Sequence, residues 1–304
     1  MIVPSGPQLA RMIRYIGLPL AALFAWDIAI VVFYKLLHWE WVGSRHIPLA
    51  LYGSAIGVIV GFRNNSAYAR WWEARGLWGQ IVNNSRSFAR EVTSFLHTSN
   101  PEDDAALLAL EQSLIHHQIA WVHALRQRLR GLPPWDVLNP LLPAVEIASL
   151  QGERNIPFAI QRQISALLRE ARTLGWLNPQ ELQSLDQTLN DLVNAQGGAE
   201  RIKNTPLPKQ YDYFPMLFVQ IYCLLLPIGM VENLGWFTPL GSTLVGFMFL
   251  ALDKIGRDLE DPFENTIYDL PLTSISSTIE TDLRQALGEL ALPAPVAAVD
   301  GVLW

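Results

Sequence analysis

Three histidines, His116, His117 and His123, lie in one helical stretch, and Asp258, Glu260, Asp261, Glu264 and Asp269 crowd a short segment near the end of the chain. Imidazoles and carboxylates ligate metals and move protons, so their spacing is the first test for chemistry. His116 and His123 share a helix face at i and i+7, but two turns is too far for one metal, and no HExxH spacing occurs. Solvated or packed roles are expected for these histidines. Asp27 interrupts an apolar run, where a carboxylate is costly and invites a functional reading. It either pairs with another apolar segment or faces water. No nucleophile–base arrangement, phosphate loop or metal signature stands out. An enzyme is not expected, and neither is a cofactor.

Composition explains why the chemistry is sparse. Of 304 residues 50% are hydrophobic, only 16% are charged and eleven are tryptophan. Soluble domains carry about 25% charge, and Trp favours membrane–water interfaces. A net charge of -6 argues against a nucleic-acid partner. The single cysteine, Cys223, excludes an intrachain disulfide and any CxxC motif.

Four apolar runs suit membrane helices: Ile16 to Leu37, Ile47 to Phe62, Phe214 to Val231 and Trp236 to Leu252. A span needs about 20 residues, so the second run is marginal; its Gly and Ala permit close helix approach. The first follows Arg11 and Arg14 as a signal peptide would, but it is too long and lacks a cleavage site. Arg11, Arg14, Arg63, Arg70, Arg75, Lys254 and Arg257 fall on one side, and the short connections offer only Arg45. The positive-inside tendency therefore puts both termini and the long middle segment in the cytoplasm. The division expected is 1–62, the N-terminal segment and two spans; 63–213, a cytoplasmic helical domain; 214–252, two more spans; and 253–304, a cytoplasmic C-terminal segment.

Between the second and third spans the pattern is amphipathic helix. One stretch opens with Asn100, Pro101 and acidic residues, and closes on Arg126, Arg128, Arg130 and Gly131, as the helix dipole favours. Ile156 to Trp176 reads as a second helix. A third starts at Asn178 and is expected to close at Gly197 and Gly198. No period-2 pattern is sustained, so the fold class is all-α. The Ala/Pro/Val-rich tail after Leu290 is expected to be loosely ordered.

The elements that must position any site converge on "GFRNNSAYARWWEARGLWGQIVNNSR", residues 61 to 86. Its apolar residues Tyr68, Trp71, Ala74, Trp78, Ile81 and Val82, with Phe88 and Ala89 just beyond it, follow the three-and-four spacing of a helix face, which predicts that the second span continues as one long helix. Upstream, Ser54, Val58 and Phe62 lie one turn apart on one face, ready to meet neighbouring helices or lipid.

"GFRNNSAYARWWEARGLWG", together with "LEDPFENTIYDLPL" from Leu259 to Leu272, resembles the bestrophin family of ion channels, in its prokaryotic branch. The likeness covers nearly the whole chain. It implies four transmembrane helices and a cytoplasmic helical bundle, assembled as a homopentamer around one pore in the inner or plasma membrane of a prokaryote. The implied partners are further copies of the chain, the lipid membrane and small monovalent ions. The resemblance places the pore neck at Ser54, Val58 and Phe62; Ser54 departs from the bulky apolar residue usual there. It places a second, cytoplasmic aperture at Leu177, in "GWLNPQELQSL". Apolar rings of this kind block ions by dewetting. Arg63, Asn64 and Glu232 are candidates for the pore mouth and selectivity; Arg63 favours anions, whereas Glu232 and the late acidic segment favour cations. In the family that the chain resembles, animal relatives pass chloride and other anions and carry a run of carboxylates that clasps calcium, while prokaryotic relatives include cation-passing members, so cation selectivity stays open. This chain has lost most of that run, so calcium is not expected; Asp261, Glu264 and Asp269 are the weak candidates that remain, against about 6–8 oxygens for a hard cation. The alternatives are a membrane-anchored scaffold or sensor without a pore and, less well supported, a membrane-embedded enzyme.

Overall fold

The computed structural model describes residues 9–44 and 46–304, with side chains from residue 15 onward. The side chains of Arg11 and Arg14 and the whole of Arg45, which entered the orientation argument, lie outside the described residues. Ten α-helices run in order through the described chain: α1 (Leu9–Lys35), α2 (Leu49–Phe95), α3 (Asp104–Leu129), α4 (Trp135–Leu138), α5 (Ala144–Leu150), α6 (Ile156–Thr173), α7 (Pro179–Asn204), α8 (Lys209–Leu234), α9 (Thr238–Glu260) and α10 (Leu272–Ala286). Among the described residues the only β pairing is a single bridge between Val299 and Val302. The all-α expectation holds.

The chain forms two compact units. One comprises Pro4–Trp71 with Pro206–Asp261, and the other is built mainly from Trp72–Thr205 and Pro262–Trp304. Helix α2 is continuous through the boundary at Trp71 and Trp72, as its unbroken apolar spacing predicts. Among the described residues two stretches are long and apolar enough to cross a membrane: Tyr15–Lys35, and Lys209–Glu260, which contains both α8 and α9. The apolar start of α2 falls short because Arg63, Asn64 and Asn65 follow Phe62 directly.

In the first unit α1, α8 and α9 pack on one another. The core joins Leu23 of α1, Ile56 and Val60 of α2, and Val219, Tyr222, Cys223 and Leu226 of α8. Close approach depends on glycines: a Cβ at Gly246 would stand 2.1 Å from Leu23, and one at Gly229 would stand 2.7 Å from Leu49. Asp27 is fully buried and accepts hydrogen bonds from Ser242 Oγ at 2.8 Å and Thr243 Oγ1 at 2.9 Å, so it pairs with α9. Of the two alternatives for Asp27, the structure selects a partner on another helix.

In the second unit α3 is the central helix, packed by α6, α7 and α10. The second half of α2 buries Ala74, Trp78, Ile81, Ser85, Phe88 and Val92, a face of alternating fours and threes. Tyr68, assigned to that stripe, is half exposed instead, because the buried face at that level runs through Ala67.

The helix signals were read well at the starts. Asn100 accepts from Glu102 N, Asn155 from Phe158 N, and Asn178 forms a full capping box with Glu181. One stop was misread. Helix α7 runs through Gly197 and Gly198 to Asn204. Gly198 is there because Leu77 presses on it: a Cβ would lie 2.8 Å from the Leu77 side chain. Close packing, not helix termination, accounts for this glycine. The tail is also better ordered than its composition suggests. Val302 is buried, Val299 and Val302 exchange backbone hydrogen bonds, and Trp304 O accepts from Ser274 N at 2.7 Å.

Candidate functional site

Helix α2 has two opposed faces above Trp71. Ile56, Val60, Arg63 and Ala67 are buried at helical spacing, fixing the rotation of the helix about its axis. Ser54, Val58 and Phe62 therefore point away from the chain's own core; Val58 is 58% exposed and Phe62 68%. Between them, a Cβ added at Gly57 or at Gly61 would meet nothing within 4 Å. The result is an uncovered strip of two apolar side chains separated by glycines. Ser54 adds little polarity, since its hydroxyl donates to Ala50 O one turn back, at 2.7 Å. Ser66, one turn below Phe62, donates to Phe62 O in the same manner at 3.0 Å.

Arg63 follows Phe62 but does not share its exposure. Its side chain is 1% exposed and Nη1 donates to Asp253 Oδ1 of α9 at 2.7 Å. Nη2 donates to the Asp253 carbonyl at 2.5 Å and to Asn64 Oδ1 at 3.2 Å. Asp212 of α8 stands 3.7 Å away, and the other oxygen of Asp253 accepts from Arg257 at 2.8 Å. Asn64 donates in turn to Leu252 O at 2.8 Å. These contacts lock α2 to α9 at the polar end of their apolar segments, and Gly256 leaves the room: a Cβ there would lie 2.1 Å from Asn64 Oδ1. The Arg63 charge is thus compensated inside the protomer. Sequence reasoning had no signal for Asp253 as its partner, because the two are far apart in the chain.

The remaining candidates separate. Glu232, near the end of α8, is partly exposed beside Gly43, whose Cβ would stand 3.2 Å from Glu232 Cγ. Leu177, in the turn between α6 and α7, is 1% exposed, packed within its own chain. Leu174, in the same turn, is 52% exposed. The acidic segment is largely engaged. Tyr15 donates to Asp258; the Glu260 backbone carbonyl accepts from Arg70 Nε at 3.0 Å, and its carboxylate Oε1 accepts from Leu207 N at 3.0 Å. Asp269 is buried and accepts from Thr266 N at 3.0 Å and Thr266 Oγ1 at 2.5 Å, closing a turn in which Asn265 takes a positive φ of 68°. Glu264 is exposed and Asp261 half-buried. Among the described residues no three His, Cys, Asp or Glu side chains stand together as a metal set.

The histidines are held by carboxylates: His116 by Glu289 at 2.7 Å, His117 by Glu146 at 2.7 Å and His123 by Glu280 at 2.8 Å. Arg284 bridges Glu280 and Glu289, making one chain of charge from His116 to His123. Burial alone would raise the two carboxyls of that chain, yet the hydrogen bonds and charges of His123, His116 and Arg284 hold both below the usual carboxylate range.

Comparison with known proteins accords with this arrangement. The family model for the bacterial/fungal bestrophin protein matches residues 9–285. The chain is 35% identical over 273 residues to the voltage-dependent anion channel-forming protein RSc3414 of Ralstonia nicotianae, covering 89% of this chain and 87% of that one. It is 37% identical over 247 residues to the voltage-dependent anion channel-forming protein YneE of Salmonella typhi, covering 81% and 78%. A crystal structure of a bacterial bestrophin homolog from Klebsiella pneumoniae superposes with a TM-score of 0.83 at 27% identity, covering 91% of this chain and 100% of that one. The chain belongs to the bacterial/fungal bestrophin family.

Proposed function

We propose that the chain is a bestrophin-type ion channel that passes small monovalent anions through a neck lined by Val58 and Phe62, with Ser54 one turn earlier. The observation that carries this reading is the uncovered strip on α2. Val58 and Phe62 are exposed on a helix whose opposite face is buried, and Gly57 and Gly61 leave open space between them. Copies of this face brought around an axis would form a narrow apolar ring that conducts when wetted and blocks when dry. The glycines would allow close approach of neighbouring helices. Five copies is the number that the family resemblance implies.

In the proposed topology α1, the start of α2, α8 and α9 cross a prokaryotic plasma membrane, with 1–62 and 214–252 as the membrane segments. The middle segment 63–213, the C-terminal segment 253–304 and both termini lie in the cytoplasm. Anion passage is supported by the names of the relatives, both anion channel-forming proteins. It does not rest on Arg63, whose charge Asp253 already compensates. A Phe ring carries a positive edge, so an apolar ring containing Phe62 can favour an anion without a formal charge. Glu232 is proposed only as a mouth residue. For the cytoplasmic aperture, the exposed side chain of the turn after α6 is Leu174, so we assign the constriction to that residue in place of the buried Leu177.

The test is chloride efflux from liposomes carrying the purified protein. Efflux from wild type, altered in rate by Val58→Ala with Phe62→Ala, supports the neck. Efflux identical in both would remove Val58 and Phe62 from the conduction path, and no efflux from either would favour a scaffold without a pore.

A further inference from the structure

Helices α3 and α10 meet antiparallel, in a register fixed by two contacts. His123 Nε2 lies 2.8 Å from Glu280 Oε2, and Arg130 Nη1 donates to Thr273 Oγ1 at 2.8 Å. The spacing is the same on both helices, 130 − 123 = 7 and 280 − 273 = 7. The side chains between these contacts, Arg126 on α3 and Ser276 on α10, therefore lie on the facing sides of the two helices, one residue from the same level.

They do not bond to each other. Arg126 is 8% exposed and Ser276 0%. Arg126 Nε and Ser276 Oγ are both buried without a hydrogen-bonding partner. Buried polar groups are almost always paired, so these two orphaned atoms call for a partner. Glu280 is the carboxylate whose field reaches Arg126, but its two oxygens are already held by His123 and Arg284. A second cation, Arg130, sits one turn along α3, and its Nε is likewise buried and unpartnered. Burial first, and then the neighbouring Arg126, push the Arg130 guanidinium down to about 10. Asp269 acts on Arg130 in the opposite direction, but both of its oxygens accept from Thr266. His123 Nδ1 is also buried without a partner. This seam therefore holds two crowded guanidiniums and a free hydroxyl donor, with its carboxylates committed elsewhere.

We propose that the gap between Arg126 and Ser276 is a binding site for one halide-sized monovalent anion, chloride in the cell, that ties α10 to α3. A water molecule would satisfy the hydroxyl but leave the positive charge uncompensated. The gap lies between direct contacts about 4.5 Å away along the axis on one side and about 6 Å on the other. Arg126 and Ser276 contact the ion, and Arg130 adds its charge at longer range.

Bromide in place of chloride makes the site visible by anomalous diffraction from crystals of the full-length protein. The expected result is a bromide peak between the Arg126 guanidinium and Ser276 Oγ, lost in Arg126→Gln. No peak in the wild type, or a peak unchanged in the variant, overturns the proposal. A second readout is thermal unfolding in chloride against gluconate. Chloride is expected to raise the midpoint of the wild type, and the rise is expected to be lost or much reduced in Ser276→Ala, a substitution that keeps the helix intact. An equal chloride effect in wild type and Ser276→Ala overturns the assignment even if Arg126→Gln does not fold.

Discussion

Arg63 and Asp253 form a buried pair, with one guanidinium nitrogen 2.7 Å from the carboxylate and another 2.5 Å from the carbonyl of the same residue. Both side chains are nearly inaccessible, and Arg257 shares the carboxylate. The first charge after the proposed neck is therefore a fastener between α2 and α9. It lies directly after Phe62 in sequence, yet its field is cancelled within the protomer.

Removing Asp253 leaves buried Arg63 with only the more distant Asp212, and removing Arg63 leaves buried Asp253 with Arg257 as its one cation. Arg63→Met and Asp253→Asn should each destabilise the protein by about 3–5 kcal/mol, seen as a lower unfolding midpoint in detergent. Protein that survives Arg63→Met should keep the wild-type reversal potential in asymmetric chloride. A shift toward cation selectivity would return Arg63 to the pore.

Gly256 and Gly57 should respond in opposite ways to the same substitution. Gly256→Ala places a Cβ 2.1 Å from Asn64 Oδ1 and 2.8 Å from Arg63 Nε. Overpacking of this kind costs about 1–3 kcal/mol. Gly57→Ala meets nothing in its own chain, so any effect should fall on assembly and conductance. Unfolding midpoints together with cross-linked oligomer size separate the two; equal loss of midpoint in both would contradict the exposed strip.

A paired test applies to α7. Gly197→Ala enters open space within a helix and should stabilise by about 0.5–1 kcal/mol, whereas Gly198→Ala runs into Leu77 at 2.8 Å and should destabilise. Denaturant midpoints of the two variants should bracket that of the wild type.

The hold of α10 on α3 should depend on pH. Glu280 and Glu289 are both lower than the usual carboxylate range in the folded chain. Groups lowered on folding contribute stability that is fully present above the unfolded carboxylate range and disappears as pH falls through their folded values. Hydrogen exchange of α10 amides should thus accelerate on acidification below that range. In Glu280→Gln with Glu289→Gln the acceleration should be largely absent. Equal acid sensitivity in wild type and variant would contradict the role of this network.

Much of this architecture was legible in the chain because it rests on local rules. Asn100 and Asn178 announce helix starts through their own side-chain caps, and the three-and-four spacing after Ala67 makes α2 continuous. What stayed hidden depends on distant partners. Gly198 looks like a stop signal until Leu77 is placed against it. Arg63 reads as a free charge until α9 brings Asp253 to it. The resemblance places the aperture at Leu177, but the turn buries that side chain in its own chain and exposes Leu174. The partners of the acidic residues around Asp261 are equally hidden: Asp258, Glu260 and Asp269 are hydrogen-bond acceptors within the fold.

The central claim is a pore lined by α2, and a planar bilayer recording tests it most directly. With purified protein under a chloride gradient, the account predicts a current whose reversal potential lies toward the chloride equilibrium value, with conductance changed by Val58→Ala and Phe62→Ala. A bilayer that stays silent with correctly folded protein, or a current reversing at the cation equilibrium value, would contradict it.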